Sequence, residues 1–263
     1  MKIPIFQIDA FTIEPFKGNP AAVCLLTEEM PEIWMQKIAL EMNLSETAFL
    51  LEENRGYRLR WFTPVMEVDL CGHATLASSF VLYRKDLVKK TDLICFYTRS
   101  GDLNASITDD WITLNFPAFE EKPFMEAERL KEILRVNPIE VVISGENVIV
   151  ELKSTKEIRQ LKPDFIQLAK IPLHGLAVTA RSDLPEFDFI SRYFAPWAGI
   201  SEDPVTGSAH ACLGPYWMKR LKKKKMNAYQ ASARGGVIRV EVQGNRVLLG
   251  GQAVMIFEGE LRI

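Results

Sequence analysis

Four short stretches of this chain carry residues whose types and spacing could do chemistry: Gly18-Asn19-Pro20, Ser45-Glu46-Thr47, Gly72-His73-Ala74, and Glu202-Asp203-Pro204-Val205-Thr206-Gly207-Ser208. Glu46 stands between a predicted helix end and an apolar strand. A carboxylate entering a strand in an apolar setting is disposed to take up and return a proton near neutral pH, as a general acid/base must. Gly72 and Gly207 each open a small, apolar segment that reads as a helix. A helix start exposes free backbone N–H groups and the positive end of the macrodipole, so Gly72-His73 and Gly207-Ser208 could each hold an anionic group such as a carboxylate. Plain alternatives exist for every one of these residues. Glu46 could be a solvated turn residue or a cap partner for Ser45, His73 a satisfied core histidine, Asp203 an N-cap before Pro204, and the glycines simple caps of packed helices.

Other chemistries find less material. Ser208 and His210 sit two residues apart on one predicted helix and would not face each other, and no G-x-S-x-G elbow exists. Neither G-x-G-x-x-G nor a Walker A sequence occurs, so no nucleotide cofactor is expected. Three histidines and four widely spaced cysteines, with no C-x-x-C pair, give little for a metal site or a disulfide framework, so neither is expected. Lys plus Arg is 32 against Asp plus Glu 34, a formal charge of -2, which argues against nucleic acid as a partner. The run Lys222 to Lys225 reads as a solvated helix C-terminus rather than a phosphate-binding patch. No apolar run is long enough to span a membrane, and Met1 to Ile5 does not read as a secretory leader. A folded soluble protein with reduced thiols in the cytoplasm is therefore expected.

The elements that position these residues repeat. Arg60-Trp61-Phe62-Thr63-Pro64 returns as Arg192-Tyr193-Phe194-Ala195-Pro196, a shift of 192 − 60 = 132. The helix-opening glycines are shifted by 207 − 72 = 135, implying a loop three residues longer in the second copy. An ordered pair of strand end and small-residue helix, occurring twice, points to duplication. Strands are predicted at Ile3–Ala10, Ala21–Leu26, Thr47–Leu51, Tyr57–Phe62, Leu93–Thr98 and Trp111–Phe116. In the later half they fall at Val141–Ser144, Val148–Leu152, Leu176–Ala180, Ile190–Phe194, Val237–Val242 and Val254–Glu258. Gly145-Glu146-Asn147 and Gln243-Gly244-Asn245 read as hairpin turns. Amphipathic helices are predicted at Pro31–Met42, with Trp34, Ile38 and Met42 on one face, and at Glu126–Val136. The segments after Gly72 and Gly207 are apolar or small nearly all the way round, which predicts helices buried on every side with a sheet curled about each. Ala118 to Pro123 is the expected linker.

Taken together, Phe6-Gln7-Ile8-Asp9-Ala10-Phe11, Gly18-Asn19-Pro20-Ala21-Ala22-Val23, Ser45-Glu46-Thr47-Ala48-Phe49, Cys71-Gly72-His73-Ala74-Thr75, Glu202-Asp203-Pro204-Val205-Thr206-Gly207-Ser208-Ala209 and Gly250-Gly251-Gln252-Ala253 resemble the PhzF-like phenazine-biosynthesis isomerases, within the wider diaminopimelate epimerase fold. The resemblance covers essentially the whole chain. It implies an α/β architecture of two pseudo-symmetric lobes, each a curved, mostly antiparallel sheet or barrel around a central buried helix. The first lobe would be 1–117, with the C-terminal strand 253–263 a candidate to complete it, and the second 118–252. The site would lie between them, and a homodimer is the expected assembly. By the same resemblance Glu46 is the proton-transfer residue, while His73, Asp203 and Ser208 bind and polarise substrate. Asn19, Gly72, Ala74, Thr206 and Gly207 are the expected substrate-binding positions. Diaminopimelate epimerases use two facing thiols, one before each helix-opening glycine. Cys71 and Thr206 stand at those positions here, which argues against symmetric two-thiol racemisation. The resulting expectation is a cofactor-independent isomerase or epimerase that moves a proton on a small carboxylate-bearing substrate. A binding protein without turnover on the same fold, and an amino-acid epimerase, are the alternatives.

Overall fold

The architecture comes from a computed structural model that describes residues 2–263, the side chain of Ala198 aside. The chain divides into two compact units, residues 1–115 with 250–263, and residues 116–249.

In the first unit, β1 (Lys2–Ala10), β2 (Asn19–Leu26), α1 (Glu32–Met42), β3 (Glu46–Glu53), β4 (Gly56–Phe62), the short β5 (Glu67–Val68), α2 (Gly72–Arg84), β6 (Ile94–Thr98), β7 (Gly101–Thr108) and β8 (Trp111–Pro117) follow in order. β2 lies antiparallel to β1 and parallel to β3. β4 is antiparallel to β3 and β5 and parallel to β6, which leads antiparallel into β7 and then β8. One sheet face packs on α1, through Ile38, Met35 and Ala39 against Ile5, Cys24, Phe49 and Phe62. Side chains alternate along a strand, so Phe49 under α1 sends Glu46, Ala48 and Leu50 to the other face, where α2 packs.

Ten of the thirteen residues of α2 are buried, hydroxyls included. The helix tolerates them because each hydroxyl donates to the carbonyl four residues back: Thr75 to Cys71 at 2.6 Å, Ser78 to Ala74 at 2.7 Å, and Ser79 to Thr75 at 2.8 Å.

The second unit repeats the order. β9 (Glu121–Pro123), α3 (Ala127–Leu134), β10 (Glu140–Ser144), β11 (Asn147–Glu151), α4 (Thr155–Gln160), α5 (Phe165–Leu168), β12 (Gly175–Arg181), β13 (Phe189–Ala195), β14 (Ile200–Asp203), α6 (Gly207–Leu221), β15 (Lys225–Gln230), β16 (Gly236–Gln243) and β17 (Arg246–Gly251) precede β18 (Ala253–Arg262). β18 belongs to the first unit, antiparallel to β1. The pairing senses match strand for strand. β10 and β11 are antiparallel, β11 and β12 parallel, β12 and β13 antiparallel, and β13 is parallel to β15, which is antiparallel to β16. The face opposite α6 is covered by α3, α4 and α5, with Leu130, Leu134, Ile158 and Leu168 against Val148, Val178, Ile190 and Phe194.

Three expectations change. The 118–123 segment is not a bare linker, because Glu121–Pro123 forms β9 and pairs with β10, its polar side chains turned to partners such as Arg220 while the backbone joins the ladder. Trp34 is 44% exposed beneath the Lys37 ammonium, and the core face of α1 is instead Met35, Ile38 and Ala39, one residue further round the helix. The lysine run is not wholly a helix end: Lys222 is the left-handed C-cap of α6, whereas Lys225 already opens β15. Among the described residues no helix is long and apolar enough to cross a membrane.

Candidate functional site

Glu46 is the first residue of β3, beside Ala21 of β2. The loop before it is held from behind. Asn19 is fully buried and its Oδ1 accepts from the Ser45 hydroxyl at 3.2 Å. Gly18 has φ +64°, and a Cβ there would fall 2.1 Å from the Ala10 carbonyl oxygen, so the Gly-Asn-Pro turn demands glycine. The buried Asp9 carboxylate accepts the Phe16 N–H at 2.7 Å and fixes the same loop.

His73 stands in the first turn of α2, its side chain 6% exposed against 14% for Glu46. Their Nε2 and Oε2 atoms face each other at 3.1 Å. The approach is out of line for a hydrogen bond, and both atoms are buried without a hydrogen-bond partner. Two buried polar atoms left open in this way carry a desolvation cost of about 1–3 kcal/mol each, which a bound group could relieve. On the other edge of the imidazole, Nδ1 lies 3.5 Å from the Sγ of Cys71, the N-cap of α2. Burial pushes the Cys71 thiol up to about 11, with the Glu46 carboxylate adding to it and the His73 imidazole opposing it. Burial disfavours a charged His73, but its negative neighbours outweigh that and hold the imidazole well above its ordinary value. The upward push comes first from Cys71 and then from the Glu46 carboxylate.

Two more buried polar atoms without hydrogen-bond partners are Trp61 Nε1, on the same sheet face, and Thr47 Oγ1, on the opposite one. Trp61 pairs directly with Ala48, so it shares the sheet face of Glu46. Gly72 is half-buried and Ala74 fully buried in the same turn as His73.

In the second unit Asp203 ends β14 and Thr206 is the N-cap of α6. Here the polar groups are tied to one another. The Thr206 hydroxyl hydrogen-bonds the Asp203 carboxylate, its N–H donates to Gln230 Oε1 at 2.9 Å, and Gln230 Nε2 donates to the Asp203 carbonyl at 2.7 Å. Gly207 is buried and Ser208 half-buried at the start of α6. His210 is not part of a hydrolytic pair. Its Nδ1 lies 2.8 Å from the Thr206 carbonyl, which can only accept, so Nδ1 carries the proton and Nε2 takes the Ser191 hydroxyl at 3.4 Å. Burial lowers this imidazole to about 4, with the Thr206 carbonyl opposing it.

The first unit thus gathers Glu46, His73, Gly72 and Ala74, with Asn19 behind Ser45; the second gathers Asp203, Thr206, Gly207 and Ser208. Trp61, Gln230 and Tyr193, which pairs with Asp203, are members that sequence reasoning did not select, and Cys71 was marked only as the counterpart of an epimerase thiol. Trp61 and Tyr193 occupy the second place of the repeated pentapeptide, and that shared place was the available signal.

The comparisons with known proteins agree with this architecture. An uncharacterized isomerase of Halalkalibacterium halodurans is 49% identical over 264 residues, covering 99% of either chain. A PhzF-family phenazine biosynthesis protein of Enterococcus faecalis, solved by crystallography, superimposes with a TM-score of 0.93 at 43% identity, all of both chains being covered. A hydroxyproline epimerase of Agrobacterium vitis shares the fold, with a TM-score of 0.62 at 10% identity over 99% of this chain and 92% of that one. The family model for phenazine biosynthesis-like proteins matches residues 8–259, and the chain belongs to that family.

Proposed function

We propose that the protein is a cofactor-independent isomerase that shifts a proton between carbons of a small carboxylate-bearing substrate, with Glu46 as the general acid/base. The observation that carries this reading is the buried ion pair of Glu46 Oε2 and His73 Nε2 at 3.1 Å, in which neither atom has a hydrogen-bond partner. A carboxylate with no hydrogen-bond partner at that oxygen is free to accept a carbon-bound proton, and an adjacent imidazolium steadies the carboxylate between turnovers and donates to charge that develops on substrate. Asn19 positions the loop of Glu46 through Ser45. In the first unit the α2 start at Gly72 and Ala74 offers donors to carboxylate or enolate oxygens; in the second, the α6 start at Thr206, Gly207 and Ser208 offers donors of the same kind, with Asp203 as an acceptor for a substrate donor. The isomerase name of the close relative and the fold shared with an epimerase support the same class of reaction.

Two-base epimerisation is the weaker reading, because Thr206 replaces a second thiol and its hydroxyl is already engaged by Asp203 and Gln230. The test is incubation with a panel of small carboxylates in deuterated water, following both deuterium at carbon and the appearance of a positional isomer. A single acid/base predicts a positional isomer, with part of the substrate's own hydrogen carried into it. Saturable binding with neither outcome would identify a ligand-binding protein without turnover, and inversion at one carbon would identify an epimerase. The working assembly is proposed to be a homodimer, measurable by light scattering.

A further inference from the structure

We propose that Glu46, Cys71 and His73 form a binding site for one thiophilic divalent cation of the zinc class, and that its occupation takes Glu46 out of action. The second half of this statement rests on the reading of Glu46 as the acid/base; the first half does not. A carboxylate oxygen, an imidazole nitrogen and a thiol sulfur lie within 4.8 Å of one another. Among the described residues this trio alone combines three such ligand types at that range. It is also underserved by the protein itself, since Glu46 Oε2 and the nine-tenths buried His73 Nε2 have no hydrogen-bond partner.

The spacing suits the ion. Ligands bound to tetrahedral zinc at about 2.0–2.3 Å lie roughly 3.3–3.8 Å from each other, close to the 3.1 Å between Glu46 and His73. The Cys71 sulfur now lies beside Nδ1 at 3.5 Å, so sulfur and ring have to turn until one imidazole nitrogen faces both the thiolate and the carboxylate, within the 4.8 Å that spans the three ligand atoms. Cys71 would then bind as thiolate and His73 as neutral imidazole, the protons of both passing to solvent. Three protein ligands leave the fourth position open to water. The second unit provides an internal control. At the places of Cys71 and His73 it carries Thr206 and Ser208, and at that of Glu46 it carries Gly175, so a stoichiometry of one ion per chain follows.

The experiment titrates chelator-dialysed full-length protein with cobalt(II) under anaerobic conditions. One equivalent should bind and produce a thiolate-to-cobalt charge-transfer band in the near ultraviolet, displaceable by zinc(II). Cys71→Ser should lose the band and Cys95→Ser, at the half-buried thiol outside the cluster, should keep it. Glu46→Gln should weaken cobalt binding at least tenfold, a readout that stands even if Cys71→Ser fails to fold. A wild-type protein without the band, a band that persists in Cys71→Ser, or cobalt affinity untouched by Glu46→Gln overturns the site. Zinc-loaded protein should show no turnover, and chelator should restore it. Full turnover with the ion bound overturns only the inhibitory half, while absent turnover in metal-free protein counts against the proposed function and leaves the cobalt result standing.

Discussion

The two halves of this chain were built on one plan and then treated differently. Arg60 grips Glu67 with two hydrogen bonds of 2.6 Å, and Arg192 grips Glu202 with bonds of 2.7 and 2.9 Å. Their sequence shifts, 192 − 60 = 132 and 202 − 67 = 135, are those of the repeated motifs. Each guanidinium also lies over a phenylalanine two residues on, Phe62 at 5.1 Å and Phe194 at 4.9 Å. The scaffold is therefore conserved between halves down to a bidentate ion pair.

The chemistry is not. Strand registers place Thr47 opposite Phe62 and Leu176 opposite Phe194, so the counterpart of Glu46 is Gly175. A Cβ on Gly175 would lie 1.7 Å from the Tyr193 hydroxyl, which instead donates to Asn147 at 2.7 Å. Where the first half leaves an acid with an open oxygen, the second fills the space and closes its hydrogen bonds. The two halves share the frame, and they differ in what stands at the place of Glu46.

The sharpest way to break this comparison is Glu46→Gln. It should lower turnover by about 10²–10⁴-fold while leaving the thermal midpoint near that of the parent; near-normal isomer formation would remove Glu46 from the acid/base role.

The two buried histidines give the next largest effect, with opposite signs. His210 titrates at about 4 when folded against 6.5 for the free side chain. The unfolded chain therefore binds the extra proton first, and this stabilisation is complete above about pH 6.5 and lost as the pH falls toward 4, by about 3 kcal/mol at most. His73, raised in the folded state, contributes stability that is present below pH 6.5 and lost as pH rises through its folded value. Imidazole ¹⁵N spectra at pH 7 should show a charged His73 and a neutral, Nδ1-protonated His210. Urea midpoints of His210→Gln should lose the slope between pH 4 and 6.5.

The ion pairs come next. Arg192 also donates to the carbonyls of Ile158 and Leu161 at 3.0 and 2.7 Å, whereas Glu67 would keep Arg99 if Arg60 were lost. Arg192→Met should cost about 2–3 kcal/mol and Arg60→Met about 1 kcal/mol, and equal costs in urea titrations would deny the difference in embedding. Smallest and most local, Gly175→Ala should destabilise by about 1–3 kcal/mol through overpacking against Tyr193. The equivalent-site swap Glu46→Ala should show no such loss, and a neutral Gly175→Ala would mean that the second copy can still admit a side chain.

Much of this was legible without coordinates, and the residues show why. The strands around Glu46 and Trp61 carry alternation strong enough to read, and α2 and α6 announce their burial because small and apolar residues surround them. β7 and β15 escaped because their inward rows are thin, Leu103, Ala105 and Ile107 in one and Met226, Ala228 and Gln230 in the other, the latter beginning inside a lysine run. The sequence shift that aligns Arg60 with Arg192 does not align Glu46 with Gly175, for 175 − 46 = 129, so the glycine that stands at the place of Glu46 could be found only through strand register. The motif Gly-His-Ala-Thr marked His73, yet nothing in a linear chain states that Nε2 lies 3.1 Å from a carboxylate 27 residues upstream, nor that Cys71 closes the cluster from the other edge.

By itself the sequence determined what repeats locally: hydrophobic period, turn glycines, helix-opening glycines and the types of the candidate residues, all set by interactions between near neighbours. The tertiary structure decided which polar atoms have partners. Whether a carboxylate is satisfied or open depends on the packing of distant strands and helices against it, and in this protein that packing separates the half with the open Glu46 oxygen from the half in which Gly175 stands at the same place.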